Sequence, residues 1–296
     1  MNTKNIDFVQ LFKYGAIISS ILVLGSILLF SSKGLNYGVD FRGGVEIQVK
    51  FTNKVEIADL RKQLGDANIP VSQLQRIGQE EANEYLLKIQ SENSDLNQIS
   101  SDVNKTLGEQ YGAGKFEILK NDIVGPKAGA QLRTSAFKAL MWAVLAIMIY
   151  LGLRFDYKYA PGAIAALIHD SVIIIGVFVL TQKEFSLQIV AALLAIIGYS
   201  VNDTVVIYDR VREREVQNPG TPLSQSINQA IHETMSRTIM TSGTTLAVTL
   251  VMYFVGGPVI HDFFFAMSFG ILIGTYSSVF IAVPMTVLTE RLSSKA

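Results

Sequence analysis

The sequence predicts a polytopic α-helical membrane protein with six transmembrane helices and one α+β domain, outside the membrane, inserted between helices 1 and 2. Three observations predict it. Of 296 residues, 49% are hydrophobic and only 17% charged, and the mean hydropathy is +0.34, so the average residue favours an apolar solvent. Six runs reach roughly 18 apolar residues or more, the length that crosses a hydrocarbon layer ~30 Å thick as a helix. Between the first two runs, residues 35 to 134 are mostly polar.

The first run, near residues 11 to 30, is longer than the apolar core of a cleaved secretory signal, and SILLFSSKG lacks a small-x-small cleavage site. Residues 1 to 34 therefore read as an N-terminal segment and a retained anchor. In the insert, Val45, Ile47, Val49 and Phe51 alternate with Glu46, Gln48 and Lys50, the period of a strand with one buried face. Ile57, Leu60 and Leu64 then share a helical face that stops at Pro70. A weaker strand near VSQLQRI precedes a stronger one at EYLLKIQ, residues 84 to 90. Leu96, Ile99, Val103 and Leu107 repeat at helical spacing, and KFEIL, residues 115 to 119, returns to strand. Strand, helix, strand, strand, helix, strand is the ferredoxin-like order, which hosts unrelated functions and identifies none.

Residues 135 to 296 carry the other five spans, near 135–153, 160–180, 186–208, 238–255 and 263–288. Lys4, Lys13, Arg154, Lys158, Arg210, Arg212, Arg214, Arg237, Arg291 and Lys295 fall on one side of the membrane and Lys183 on the other. The excess of basic residues marks the cytoplasmic side, so both termini are expected there. TPLSQSINQAIHETMS, residues 221 to 236, reads as a short amphipathic interfacial helix through Ile227, Ile231 and Met235.

Several function classes are excluded. Net charge is zero and no basic block stands out, so nucleic acid is not the expected partner; the lipid bilayer is. The absence of cysteine removes disulfides, thiol catalysis and thiolate metal sites. DFRGGVE has a glycine pair but no GxxxxGK[ST], and its glycines precede a strand, which favours a tight strand entry over a phosphate loop. IVGPKAG, residues 123 to 129, reads as a turn-rich exit into the second span. HExxH and GxSxG do not occur, and GYSVND does not supply the GxGD of intramembrane aspartyl proteases. No cofactor and no metal are expected, and no enzymatic activity.

The chemistry concentrates at membrane depth. His169 and Asp170 stand at the middle of the third span, and Asn202 and Asp203 just to the cytoplasmic side of the middle of the fourth. A central aspartate costs about 2.5 to 3.5 kcal/mol on insertion scales, so it faces a protein interior or water. Tyr199, Asp203 and Arg210 share one stripe of the fourth helix. Adjacent helical residues point about 100° apart, so His169 and Asp170 are not expected to form a dyad. Asp170 turns inward, and His169 finds a partner of its own. Arg237 opens the fifth span, followed by the hydroxyls of Thr238, Thr241, Thr245 and Thr249. Arg237 either reaches inward to Asp203 or marks orientation, and the hydroxyls either line a site or bond back to their own helix. His261 and Asp262 are placed in a short solvated outer loop. Gly270, Gly274 and Ser278 form a close-packing face for a neighbouring helix.

Taken together, NYGVDFRGG, IVGP, the intramembrane His-Asp pair, GYSVNDTVVIYDRVRE and SRTIMTSGTTL resemble the SecF family, the smaller polytopic subunits of the SecDF complex of bacterial protein export. The likeness runs over essentially the whole chain. It implies half of an RND-type transporter in the bacterial cytoplasmic (inner) membrane, working with SecD, often with YajC, beside the SecYEG channel. It also implies use of the proton motive force to assist preprotein translocation. The resemblance links the fourth-span aspartate and the fifth-span arginine, here Asp203 and Arg237, to proton transport. Asp170 joins them by its depth, with Asn202, Tyr199, His169 and Thr241 as supporting polar groups. Burial disfavours a charged carboxylate and a nearby guanidinium favours it, so a shift of Arg237 relative to Asp203 would switch the acid between binding and releasing a proton. A half-exporter of small molecules or lipids is the alternative.

Overall fold

The computed structural model describes residues 6–78, 80–91, 95–112, 114–155 and 158–293; Lys4 and Lys295 lie outside the described residues. The first helix, α1 (Phe8–Lys33), leads to a four-residue helix α2 (Val39–Arg42). The inserted domain follows as β1 (Gly44–Phe51), α3 (Ile57–Asp66), β2 (Val71–Ile77), β3 (Glu84–Gln90), α4 (Leu96–Tyr111) and β4 (Phe116–Val124). The remaining helices are α5 (Pro126–Arg154), α6 (Ala160–Thr181), α7 (Leu187–Gln217), α8 (Leu223–Val255) and α9 (Pro258–Ser277), the last running through a π turn (Ser278–Ala282) into α10 (Val283–Ser293). Among the described residues, six helices are long and apolar enough to cross a membrane, α9 and α10 counting as one.

The alternation read in β1 builds the core of the inserted domain. Val45, Ile47, Val49 and Phe51 are buried beneath Leu60 and Leu64 of α3 and Val103 and Leu107 of α4. The sheet runs β2-β3-β1-β4 with every pair antiparallel, which is the expected ferredoxin-like order. Gly43 has φ +91° and Gly44 φ +148°, backbone that favours glycine. A Cβ on Gly44 would overlap the Ile89 carbonyl oxygen, and one on Gly43 would stand 2.9 Å from Pro126 Cα. The glycine pair is thus a strand entry wedged between β3 and the start of α5.

Three sequence expectations need correction. Residues 223 to 236 are the first turns of the continuous helix α8 and not a separate interfacial helix, because Leu223, Ile227, Ala230 and Ile231 are buried in the bundle core. IVGPKAG is not all turn: Gly125 caps α5 and Pro126 occupies its first turn, where a missing N–H costs nothing. His261 and Asp262 lie in the first turns of α9, and Asp262 pairs with Lys183 at 2.6 Å.

The bundle has an inside and an outside. About half of the most apolar stretch is buried in α6, α7 and the last span, against less than a fifth in α1, α5 and α8. Small residues set the closest approaches. A Cβ on Gly274 would stand 2.9 Å from Ser200 Cβ, Gly270 packs under Ile196, and Gly176 under Ser26, so α9 seats on α7 and α1 on α6. The inserted domain is fastened to the α6–α7 turn: Gly38 N–H donates to Phe185 O (3.0 Å), Phe185 N–H to Asn36 O (2.8 Å), and Leu187 N–H to Asp40 Oδ2 (2.9 Å). Lys88 and Glu184 add an ion pair at 3.0 Å. Toward the α8–α9 turn, β2 instead borders a cavity of about 880 Å³.

Candidate functional site

Two buried carboxylates mark the centre of the bundle, and each is placed by a helix that otherwise reads as apolar. Asp170, 0% exposed, lies midway along α6. Its Oδ2 accepts from Ser200 Oγ of α7 at 2.6 Å and from Ser277 Oγ of α9 at 2.8 Å. Its Oδ1 lies 2.9 Å from His169 Nδ1. The expectation that neighbours on one helix cannot meet fails here: the Cβ atoms diverge, yet the two buried side chains swing toward each other, which gives Asp170 Oδ1 and His169 Nδ1 a polar partner away from water. His169 also finds the separate partner expected, Ser19 Oγ of α1, 3.1 Å from Nε2. Ser19 is 3.0 Å from the Tyr276 hydroxyl, which donates to Gly15 O at 2.8 Å.

Asp203, 4% exposed, sits three residues beyond Ser200, about 4.5 Å farther from the inserted domain at 1.5 Å per residue. Its surroundings are thinner. Ser242 Oγ of α8 donates to Oδ2 at 3.3 Å, Thr275 Oγ1 of α9 donates to Ser242 at 2.8 Å, and the Tyr199 hydroxyl lies 3.5 Å from both Ser242 and Thr245. Asn202, one residue earlier, faces outward and is exposed.

Arg237 and Asp203 do not form an ion pair within 4 Å among the described residues. Arg237 is exposed and borders an open mouth of about 330 Å³ with Val206, Asp209, Arg210, Glu233 and Thr234. Arg210 and Arg214 both pair with Glu233 there, so Arg210 is tied to α8 and does not continue the Tyr199–Asp203 stripe inward. Of the threonine stripe, Thr241 and Thr245 donate to carbonyls one turn back, at 3.0 and 2.9 Å, as the simple helix reading expects. Thr238 Oγ1 is buried without a partner among the described residues.

Sequence reasoning missed the hydroxyls that hold the carboxylates: Ser19, Ser200, Ser242, Thr275, Tyr276 and Ser277. Ser200 carried a signal, standing one turn from Asp203, and Ser277 continues the Gly270–Gly274 stripe. Ser19 and Ser242 carried none, since the register between helices is not written in either helix alone.

Matches to known proteins cover nearly all of the chain. The family model for the protein export membrane protein SecD/SecF C-terminal region matches residues 103–291, and the SecD/SecF GG motif matches residues 28–55. A protein translocase subunit SecF from Calditerrivibrio nitroreducens is 39% identical over 99% of this chain and 97% of its own. The chain belongs to the SecF family. A SecF subunit from Helicobacter pylori is 35% identical over 97% of this chain and 88% of its own. A crystal structure of SecDF from Thermus thermophilus, a translocon-associated membrane protein, matches with TM-score 0.81 and 32% identity over 97% of this chain. A super-membrane-facing form of SecDF gives TM-score 0.72 at the same identity. The chain spans 39% of the length of the first of these SecDF chains and 40% of the second. The GG motif is the stretch holding Asp40, Gly43 and Gly44, which fastens the inserted domain to α5 and α7. With six such helices, this SecF-family chain is a multi-pass membrane protein.

Proposed function

We propose that this chain is the SecF half of a SecDF-type complex that uses the proton motive force to assist preprotein translocation through SecYEG, with Asp203 as the carboxylate that exchanges the proton. One observation carries the reading: a carboxylate that is 4% exposed in the middle of a bundle meets, among the described residues, a single hydrogen-bond donor, at 3.3 Å. A buried acid so sparsely held is suited to exist both charged and neutral. Arg237, at the mouth one helix away, supplies the charge whose approach favours ionisation and whose withdrawal favours proton uptake. Asp170, beside His169, serves the same proton path, with Tyr199 and Thr241 as supporting polar groups.

The partner follows from the outer surface. Asn202 of α7 and Arg237 of α8 are exposed, and so are the apolar side chains Ile239, Met240 and Val251 of α8. An amide and a guanidinium facing acyl chains are costly, whereas a second bundle covers them. SecD is that bundle, in keeping with a chain that spans 39% of a SecDF; SecYEG, YajC and the preprotein complete the assembly. The inserted α+β domain, within residues 35 to 134, then lies outside the cytoplasmic membrane, and both termini lie in the cytoplasm. A potential of 100 mV supplies about 2.3 kcal/mol per charge, enough to bias a domain motion. The test is Asp203→Asn in inverted vesicles containing SecD and SecYEG. Loss of proton-driven translocation with unchanged recovery of SecD is expected, and full proton-driven export by that variant refutes the assignment.

A further inference from the structure

The hydrogens around His169 can be counted. Asp170 Oδ2 accepts from Ser200 and from Ser277, whose single hydrogen is shared with the Gly274 carbonyl at 3.1 Å, and Oδ1 faces His169 Nδ1 at 2.9 Å; with Asp170 ionised, Nδ1 carries the hydrogen of that contact. On the other side, the Tyr276 hydroxyl has one hydrogen, and its bond to the Gly15 carbonyl at 2.8 Å uses it. If His169 is neutral, Nε2 is an acceptor and takes the only hydrogen of Ser19. The Ser19 and Tyr276 oxygens then stand 3.0 Å apart with no hydrogen between them. If His169 is protonated, every contact closes: Nε2–H donates to Ser19, Ser19 to Tyr276, and Tyr276 to Gly15.

From this count we infer that His169 is a proton-binding site separate from Asp203, with Asp170 as its fixed counter-ion and α1 as the helix that senses its charge. A proton from solvent water adds to the Nε2 lone pair, and the Ser19 hydrogen turns from Nε2 to the Tyr276 oxygen. No bond to carbon changes, and the Nδ1 hydrogen stays on Nδ1, donated to Asp170 Oδ1. The titratable groups facing His169 are Asp170 on its own helix and the Tyr276 phenol on α9, whose ring stacks 6.1 Å from the imidazole. From α1 comes the Ser19 hydroxyl, and from α7 the Ser200 hydroxyl behind Asp170. Gly176 packed under Ser26 and Gly15 packed under Phe280 hold α1 against α6 and the π turn, so a hydroxyl that reverses at Ser19 acts on a seated helix. The use of this site in export rests on the proton-coupled reading above, but its proton binding is measured without export.

The test uses the full chain with ¹⁵N-labelled histidine in lipid nanodiscs. The sequence has three histidines, so His232→Gln and His261→Gln leave His169 assigned while the site itself is untouched. Across a pH series, the His169 Nε2 resonance is expected to move between its bare and protonated positions. Nδ1 is expected to stay protonated throughout. Ser19→Ala is expected to change the Nε2 response, and Asp170→Ala to free the Nδ1 hydrogen from its fixed acceptor. An Nε2 that holds one state over the whole range, or an Nδ1 that loses its hydrogen in the wild-type chain, overturns the site. Because Asp203→Asn is scored by translocation and His169 by its own resonance, either assignment can fail while the other stands.

Discussion

Asp170 and Asp203 lie on neighbouring helices about one turn apart in depth, both buried, yet the bundle treats them differently. Among the described residues, Asp170 meets three polar groups from three residues on three helices, and Asp203 one long donor. The first arrangement binds helices together, because α7 and α9 both hand a hydroxyl to α6. The second binds little and leaves the carboxylate room to change state. Burial alone therefore does not separate a structural acid from a working one; the count and geometry of donors do.

That contrast can be broken or sharpened by substitution. Asp203→Asn is expected to abolish proton-driven translocation while shifting bundle stability by less than about 1 kcal/mol, since an amide still accepts from Ser242; translocation into vesicles and thermal unfolding in detergent read the two halves. Asp170→Ala should show its larger effect in stability. It strands Ser200 and His169 Nδ1 in a dry interior, at about 1 to 3 kcal/mol for each unsatisfied group, while Ser277 keeps the Gly274 carbonyl, so a large fall in the unfolding midpoint is expected. Equal midpoints for the two variants would erase the distinction drawn here.

Two carboxylates outside the bundle core extend the series to smaller effects. Asp40 accepts from the first amide of α7 at 2.9 Å, and Asp40→Ala is expected to cost about 1 kcal/mol, seen as faster hydrogen exchange at the start of α7. Asp122 pairs with Lys120 on the outer strand β4 at 2.5 Å. Its hydrogen bond is the main cause that raises the Lys120 pKa above the ordinary lysine value, with Glu46 adding to it and partial burial opposing it. A raised lysine contributes stability that is present below its unfolded value and is lost as pH rises through the folded one. Lys120→Met should thus remove under about 0.5 kcal/mol at neutral pH and nothing once the lysine is deprotonated at high pH, as urea unfolding at the two pH values would show.

Much of this was legible in the chain. Period-two alternation at Val45 to Phe51 and period-three-and-four spacing at Leu60, Leu64, Val103 and Leu107 fixed which faces are buried, because a strand or helix shows its apolar side to whatever covers it. Six apolar runs announced six helices, since a bilayer demands length and composition that little else does. Asp170 and Asp203 stood out for the same reason. Helix ends were less legible. Leu223 to Met235 looked interfacial because polar residues alternate there, yet Ile227 and Ile231 sit in the core, on a helix that holds no proline and runs unbroken to Val255.

The sequence by itself determined the elements, their order and the two acids, because local periodicity and hydrophobicity act over a few residues and need no partner. Only the tertiary structure decided which hydroxyls meet which acid, that His169 turns to its own neighbour, and that Arg237 stands at an open mouth apart from Asp203. Those outcomes depend on the rotation and register of one helix against another. In this bundle they are set by close approaches at Gly176, Gly270 and Gly274, where backbones come together and carry Ser26, Ile196 and Ser200 to positions that no single helix specifies.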